Sequence, residues 1–152
     1  MRNLLLVTIA AAIVFTGMNA THAGDYEITA KSAIIAPAKA GGADWDPFKG
    51  KPDPFVWAGI KLKAAPEPTV KGETVVAKDT LMPEWNAQLI EVSVGDEMII
   101  KVWDKDLAQN DIIGEYKLEI TKKLIEDGEL KLTFGQVKEL KLTIKAKAAP
   151  AK

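Results

Sequence analysis

Cysteine is absent from this chain, and its only histidine, His22, and only arginine, Arg2, both fall within the first 23 residues. Each absence removes a class of chemistry. Without cysteine there is no disulfide framework and no thiol nucleophile. Without a histidine beyond residue 22 there is no Ser-His-Asp triad and no His/Cys site for zinc or copper. Arginine forks are missing too, and after residue 23 nineteen lysines face twenty-one carboxylates, a net of −2. That balance lacks the electrostatic footprint of nucleic-acid recognition. What remains is oxygen chemistry, carboxylates and carbonyls that suit hard cations.

Arg2, the mostly apolar residues 4–15 and the small-residue site Thr21-His22-Ala23 have the layout of a secretory signal peptide, with cleavage expected after Ala23. The apolar stretch is shorter than the ~20 residues needed to span a bilayer, which argues against an uncleaved anchor. The product is expected to be exported, to a periplasm or outside the cell, with at most a peripheral hold on a membrane. Residues 24–145 make one domain of ordinary size, and the Lys/Ala-rich residues 146–152 read as a flexible tail. With 47% hydrophobic and 27% charged residues the chain has material for a core, and without disulfides the fold must rest on it.

Period-two alternation and turn-rich gaps give about eight short strands, at residues 26–35, 55–62, 73–77, 89–94, 98–103, 116–120, 130–134 and 140–144. Gly95-Asp96 reads as a hairpin turn between the fourth and fifth runs. Residues 121–128, closed by Gly128, fit one short helical turn. The expected class is all-β, an eight-stranded antiparallel sandwich.

Three stretches carry the chemistry: Trp45-Asp46 through Asp53-Pro54-Phe55-Val56, Lys78-Asp79 through Pro83-Glu84-Trp85-Asn86, and Val102-Trp103-Asp104-Lys105-Asp106 through Asn110-Asp111-Ile112-Ile113-Gly114-Glu115. Calcium takes six to eight oxygens, so several carboxylates must converge to bind it. Asp104 and Asp106, two apart at a strand end, share a face, and Asp111 returns along the same loop. Alone, an Asp-x-Asp reads as a solvated turn. In this order the three stretches resemble a C2 domain, over nearly the whole chain from residue 26 to 145, and the leader makes it a secreted, bacterial-type member. The resemblance implies the C2-like β-sandwich and calcium as cofactor. It also implies a metal cup of Asp46, Asp53, Asp104, Asp106 and Asp111, completed by the backbone carbonyls of Trp45 and Lys105. The first-loop aspartates stand seven apart where the family commonly has six, so Asp44 stays open as the alternative to Asp46. One strand before the first acidic loop and three runs after the third resemble the circularly permuted, type II arrangement.

Trp103 and Trp85 are expected to be buried supports of the loops, with Trp45 and Trp57 partly exposed. Phe48, Leu81, Met82 and Leu107 are the candidate membrane contacts at the loop tips, and packing inward is their competing reading. Lys61, Lys63, Lys71 and Lys78 make either a basic strand face or simply a soluble one. Two readings of function stay open: a calcium-dependent module docking on anionic phospholipid or a protein partner, and a calcium-independent adaptor sandwich. A monomer is expected. An enzyme with paired carboxylates as acid and base is disfavoured, because no carboxyl is marked for a raised pKa and the domain leaves little room for a cleft.

Overall fold

A computed structural model describes residues 24–46, 50–62 and 65–148. The leader, Phe48, Lys63 and the last four residues, 149–152, lie outside the described residues. Eight strands and one short helix follow in order: β1 Tyr26–Ile35, β2 Pro54–Lys61, β3 Val70–Glu73, β4 Glu84–Val92, β5 Glu97–Asp104, β6 Asp111–Glu119, α1 Lys122–Asp127, β7 Glu129–Phe134 and β8 Val137–Ala146. They form two four-stranded antiparallel sheets, β4-β1-β8-β7 and β3-β2-β5-β6. One strand precedes the first acidic loop, and β8 lies along β1 from Ile35↔Val137 to Tyr26↔Ala146, the permuted order the strand pattern implied.

Alternation fixes which side chains meet between the sheets. In β5, Met98, Ile100 and Val102 face inward and are fully buried; Ile28 and Ala30 of β1, Val56, Ala58 and Ile60 of β2, and Leu140 and Leu142 of β8 meet them. Each of these Val, Leu, Ile and Met side chains contributes roughly 1.5–3 kcal/mol on burial, the term that replaces covalent staples here.

Three expectations change. The run at 73–77 is not a strand. β3 is Val70–Glu73, and beyond it the Thr74 hydroxyl stands in for a ladder carbonyl, accepting from the Val56 N–H at 3.0 Å while the Thr74 N–H donates to the Val56 carbonyl at 2.9 Å. Gly95-Asp96 turns the chain but closes no hairpin, since β4 pairs with β1 whereas β5 pairs with β2 and β6. The turn carries the chain between sheets and is stapled to the end of β6, with the Gly95 N–H donating to the Ile120 carbonyl at 2.7 Å and the Ile120 N–H to the Asp96 carbonyl at 2.9 Å. A two-residue turn reads the same locally whether its strands pair or diverge. Finally, β8 continues through Ala146, and Lys147 is held by a 3.0 Å bond from its N–H to the Asp25 carbonyl and a 2.7 Å ion pair with Glu91, so ordered chain reaches past residue 145.

The helical turn forms as its ends direct: the Thr121 hydroxyl caps the Leu124 N–H at 3.3 Å, and Gly128 closes it in the left-handed region at φ 66°.

At the seam where β3 and β4 bring the two sheets together, Gly72 leaves room for a neighbour. A Cβ there would stand 1.7 Å from the Leu89 carbonyl oxygen, and a backbone atom cannot step aside. Gly72→Val is expected to lose about 2 kcal/mol or more in urea denaturation. The control Lys71→Ala, at an exposed neighbour, should lose under about 0.5 kcal/mol. Equal losses would mean that the seam is not close-packed.

Candidate metal-binding loops

The inward parity that buries Met98, Ile100 and Val102 also turns Asp104 inward, where it is fully buried at the end of β5. A carboxylate thus occupies the last position of a core row. Its Oδ1 accepts the Asp53 N–H at 2.7 Å, whereas its Oδ2 is buried with no hydrogen-bond partner. An isolated buried carboxylate oxygen is costly, and a cation beside it would remove the cost.

Asp46 and Asp106 supply the neighbours. One carboxylate oxygen from each of Asp46, Asp104 and Asp106 lies within 4.8 Å of the others. The repulsion registers in their acidities. Burial first, and then Asp106 and Asp46, push Asp104 up to about 6, against the opposing Asp53 N–H and Lys39. Asp46 is raised by burial and by Asp106 and Asp53. The donor set is hard oxygen only, which fits calcium.

The other predicted ligands are placed differently. Asp53 acts as a latch: its carbonyl accepts the Lys105 N–H at 3.0 Å, and its Oδ1 accepts the Asp79 N–H at 2.6 Å. It therefore stitches the first loop to the other two. Asp111 sits opposite Asp104 across the β5–β6 ladder, after a register shift between Val102 and Trp103, and its Oδ2 takes the Lys39 ammonium at 2.5 Å. Asp44 is exposed and outside the converging trio, so Asp46 is the first-loop carboxylate brought to the other two. The carbonyls of Trp45 and Lys105 adjoin Asp46 and Asp104 in the chain and stay candidates.

Parity also corrects the tryptophans. Trp103 cannot face inward beside Asp104; it is half-buried on the outer face, where the Lys101 ammonium lies 5.7 Å from the centroids of both Trp103 and Trp57. Trp45 is the buried one, its indole N–H donating to the Ala36 carbonyl at 2.8 Å. Trp85 is half-buried. Among the loop tips Leu107 and Met82 are well exposed, and Phe48 lies outside the described residues. Leu81 packs against the core, and its carbonyl accepts the Ile35 N–H at 2.8 Å, so it anchors the second loop rather than tipping it.

Two participants were not singled out from sequence. Asp79 adopts φ 48° and accepts the Lys51 N–H at 3.1 Å, bracing the first loop from the second. Lys39 reaches Asp111 over 72 residues of sequence, a separation that spacing cannot reveal.

A sequence model described as C2 domain matches residues 25–137. Extended synaptotagmin-1 of Mus musculus is 41% identical over 80 residues, 50% of this chain and 7% of that protein. Synaptotagmin-5 of Arabidopsis thaliana is 33% identical over 81 residues, 51% of this chain and 14% of that protein. The chain thus spans a small part of the length of these relatives. Among solved structures, the calcium-bound tandem C2 domains of extended synaptotagmin 2 superpose with TM-score 0.57 at 21% identity, over 80% of this chain and 44% of that one. A C2 domain of plant extended synaptotagmin 1 gives 0.54 at 18%, over 82% and 95%.

The acidity of Asp104 makes a test in metal-free protein. Its folded value of about 6 lies above the ordinary 3.8, so the folded chain holds a proton there that the unfolded chain releases. The stability that proton contributes is complete below about pH 4 and is lost as pH rises through about 6. Chelator-treated wild type should lose about 2 kcal/mol between pH 4 and 7 relative to Asp104→Asn in denaturant titrations. Comparison with the variant cancels Glu115, which burial raises but its bonds to Lys101 and Lys117 lower overall. Parallel profiles would mean that Asp104 ionises as an ordinary surface acid.

Proposed function

This chain belongs to the C2 domain family, and on that premise we propose that it is a calcium-binding module that docks on phospholipid through its acidic loops. One observation carries the reading: the buried Asp104 oxygen without a partner, set among the carboxylates of Asp46 and Asp106. Calcium would be held by Asp46, Asp104 and Asp106 and would supply the positive charge that the cluster lacks, leaving coordination open to headgroup oxygens. Asp53 orients the loops through its three bonds. Leu107 at the tip of the third loop lines the same opening as Asp46 and Asp106 and would supply apolar contact there, with the exposed Met82 of the second loop as a further contact. Fully burying such a side chain is worth roughly 1.5–3 kcal/mol.

The leader adds a proposal of location. Its basic start, apolar stretch and small-residue site support export, with the mature chain beginning at Gly24. Intact-mass measurement of protein recovered from the exporting cell tests this, and a retained Met1 would overturn it.

For calcium, the double variant Asp104→Asn with Asp106→Asn keeps size and hydrogen-bonding capacity while removing two charges. Millimolar calcium should raise the melting temperature of wild type, reversibly with chelator, and leave the double variant unmoved. Leu107→Ser should bind calcium normally yet associate with phosphatidylserine vesicles about tenfold more weakly. An equal calcium response in the double variant would reject the site. Calcium binding without vesicle association would favour a protein partner, and no calcium response in wild type would favour the metal-independent adaptor.

A further inference from the structure

Lys39 differs from a solvated surface lysine in how its backbone and side chain are held. It begins a tight turn in which its N–H donates to the Ala43 carbonyl at 2.8 Å and its carbonyl accepts the Gly42 N–H at 3.0 Å. Gly41 and Gly42 supply the left-handed φ of 93° and 86° that this turn requires. Two residues beyond the turn, Trp45 is anchored on the Ala36 carbonyl, and the ammonium of Lys39 lies 5.8 Å from the centroid of its ring. From there it reaches Asp111 at 2.5 Å. Among the ion pairs of the described residues, this is the one that engages an acid of the cup. The lysine is itself held charged, chiefly by its bond to Asp111, with Asp106 and Asp104 adding to the attraction.

We propose that Lys39 is a tethered counter-cation that occupies the Asp111 side of the acidic cup and must be displaced before that side can accept a metal ion. The proposal rests on the calcium reading above and concerns how many ions the cup takes and how tightly. The trio at Asp46, Asp104 and Asp106 stays open for an ion, while Asp111 is already neutralised from within the chain. An ammonium beside the trio also repels an incoming cation. With side-chain exposures of 30% and 49%, water screens the Lys39–Asp111 pair, so its removal should shift affinity modestly.

Calorimetric titration of calcium into chelator-stripped protein tests this with wild type, Lys39→Gln, Lys39→Arg and Lys78→Gln, each first checked for a cooperative thermal transition. Lys78 is exposed and lines the same opening, so its removal controls for net charge alone. Wild type is expected to take one equivalent. Lys39→Gln should bind about fivefold more tightly and take a second equivalent, Lys39→Arg should resemble wild type, and Lys78→Gln should change by less than about twofold. Two equivalents in wild type, an unchanged Lys39→Gln, or an equal gain in Lys78→Gln would each overturn the tether while leaving the calcium reading intact. No binding by any of the four would overturn both. Binding by Lys39→Gln alone would keep the tether and overturn the calcium reading for the native chain.

Discussion

The inward row of β5 runs Met98, Ile100, Val102, Asp104, and the last member carries a charge where the others carry hydrocarbon. A strand cannot turn three alternate side chains into the core and spare the fourth without breaking its pleat. The loops around Asp104 are arranged as that constraint demands. The Asp53 N–H satisfies one oxygen, the Asp53 carbonyl holds Lys105 so that the strand end stays in place, and Asp46 and Asp106 converge on the same side. Replacing Asp104 by leucine would relieve the burial and destroy the reason for the loops to meet.

The same row explains the outer face. With Asp104 inward, Trp103 must point out, and with Lys101 and Trp57 it forms a cation sandwiched near two rings. Lys101 further binds Glu115 across the β5–β6 ladder at 3.2 Å, and Lys117 meets the same carboxylate at 3.3 Å. This face is therefore mixed in sign rather than basic, for the exposed lysine at 61 stands opposite Glu97 and the one at 71 lies two residues from Glu73.

Strands with clear alternation could be read directly: β5 and β8 lie where the period-two pattern put them, because one face is apolar and the other is not, and β1 follows the run that begins alternating and ends apolar. Of the acidic trio, spacing alone marked only Asp104 and Asp106, two apart at the end of β5, and Asp46 was reached through the family resemblance. Pairing was harder. The divergence of β4 and β5 after Gly95 depends on which sheet offers each strand an edge, and no local residue encodes that choice. Burial of Trp45 was missed because it sits in an irregular loop, where no period predicts direction; its partner, the Ala36 carbonyl, lies outside any regular spacing. Lys39 and Asp79 act through contacts that only the closed sandwich creates.

The antiparallel register of β1 and β8 places Tyr26 opposite Ala146, and Lys147 bonds back to Asp25. Both ends of the described chain therefore leave the sandwich side by side, at the pole away from the loops that follow β1 and precede β6. Anything fused there, whether an affinity handle, a surface-immobilisation point or a second module, would hang behind the sandwich and leave the mouth of the cup facing outward. Two such attachments could be exchanged or joined to one another with little disturbance to the opposite pole.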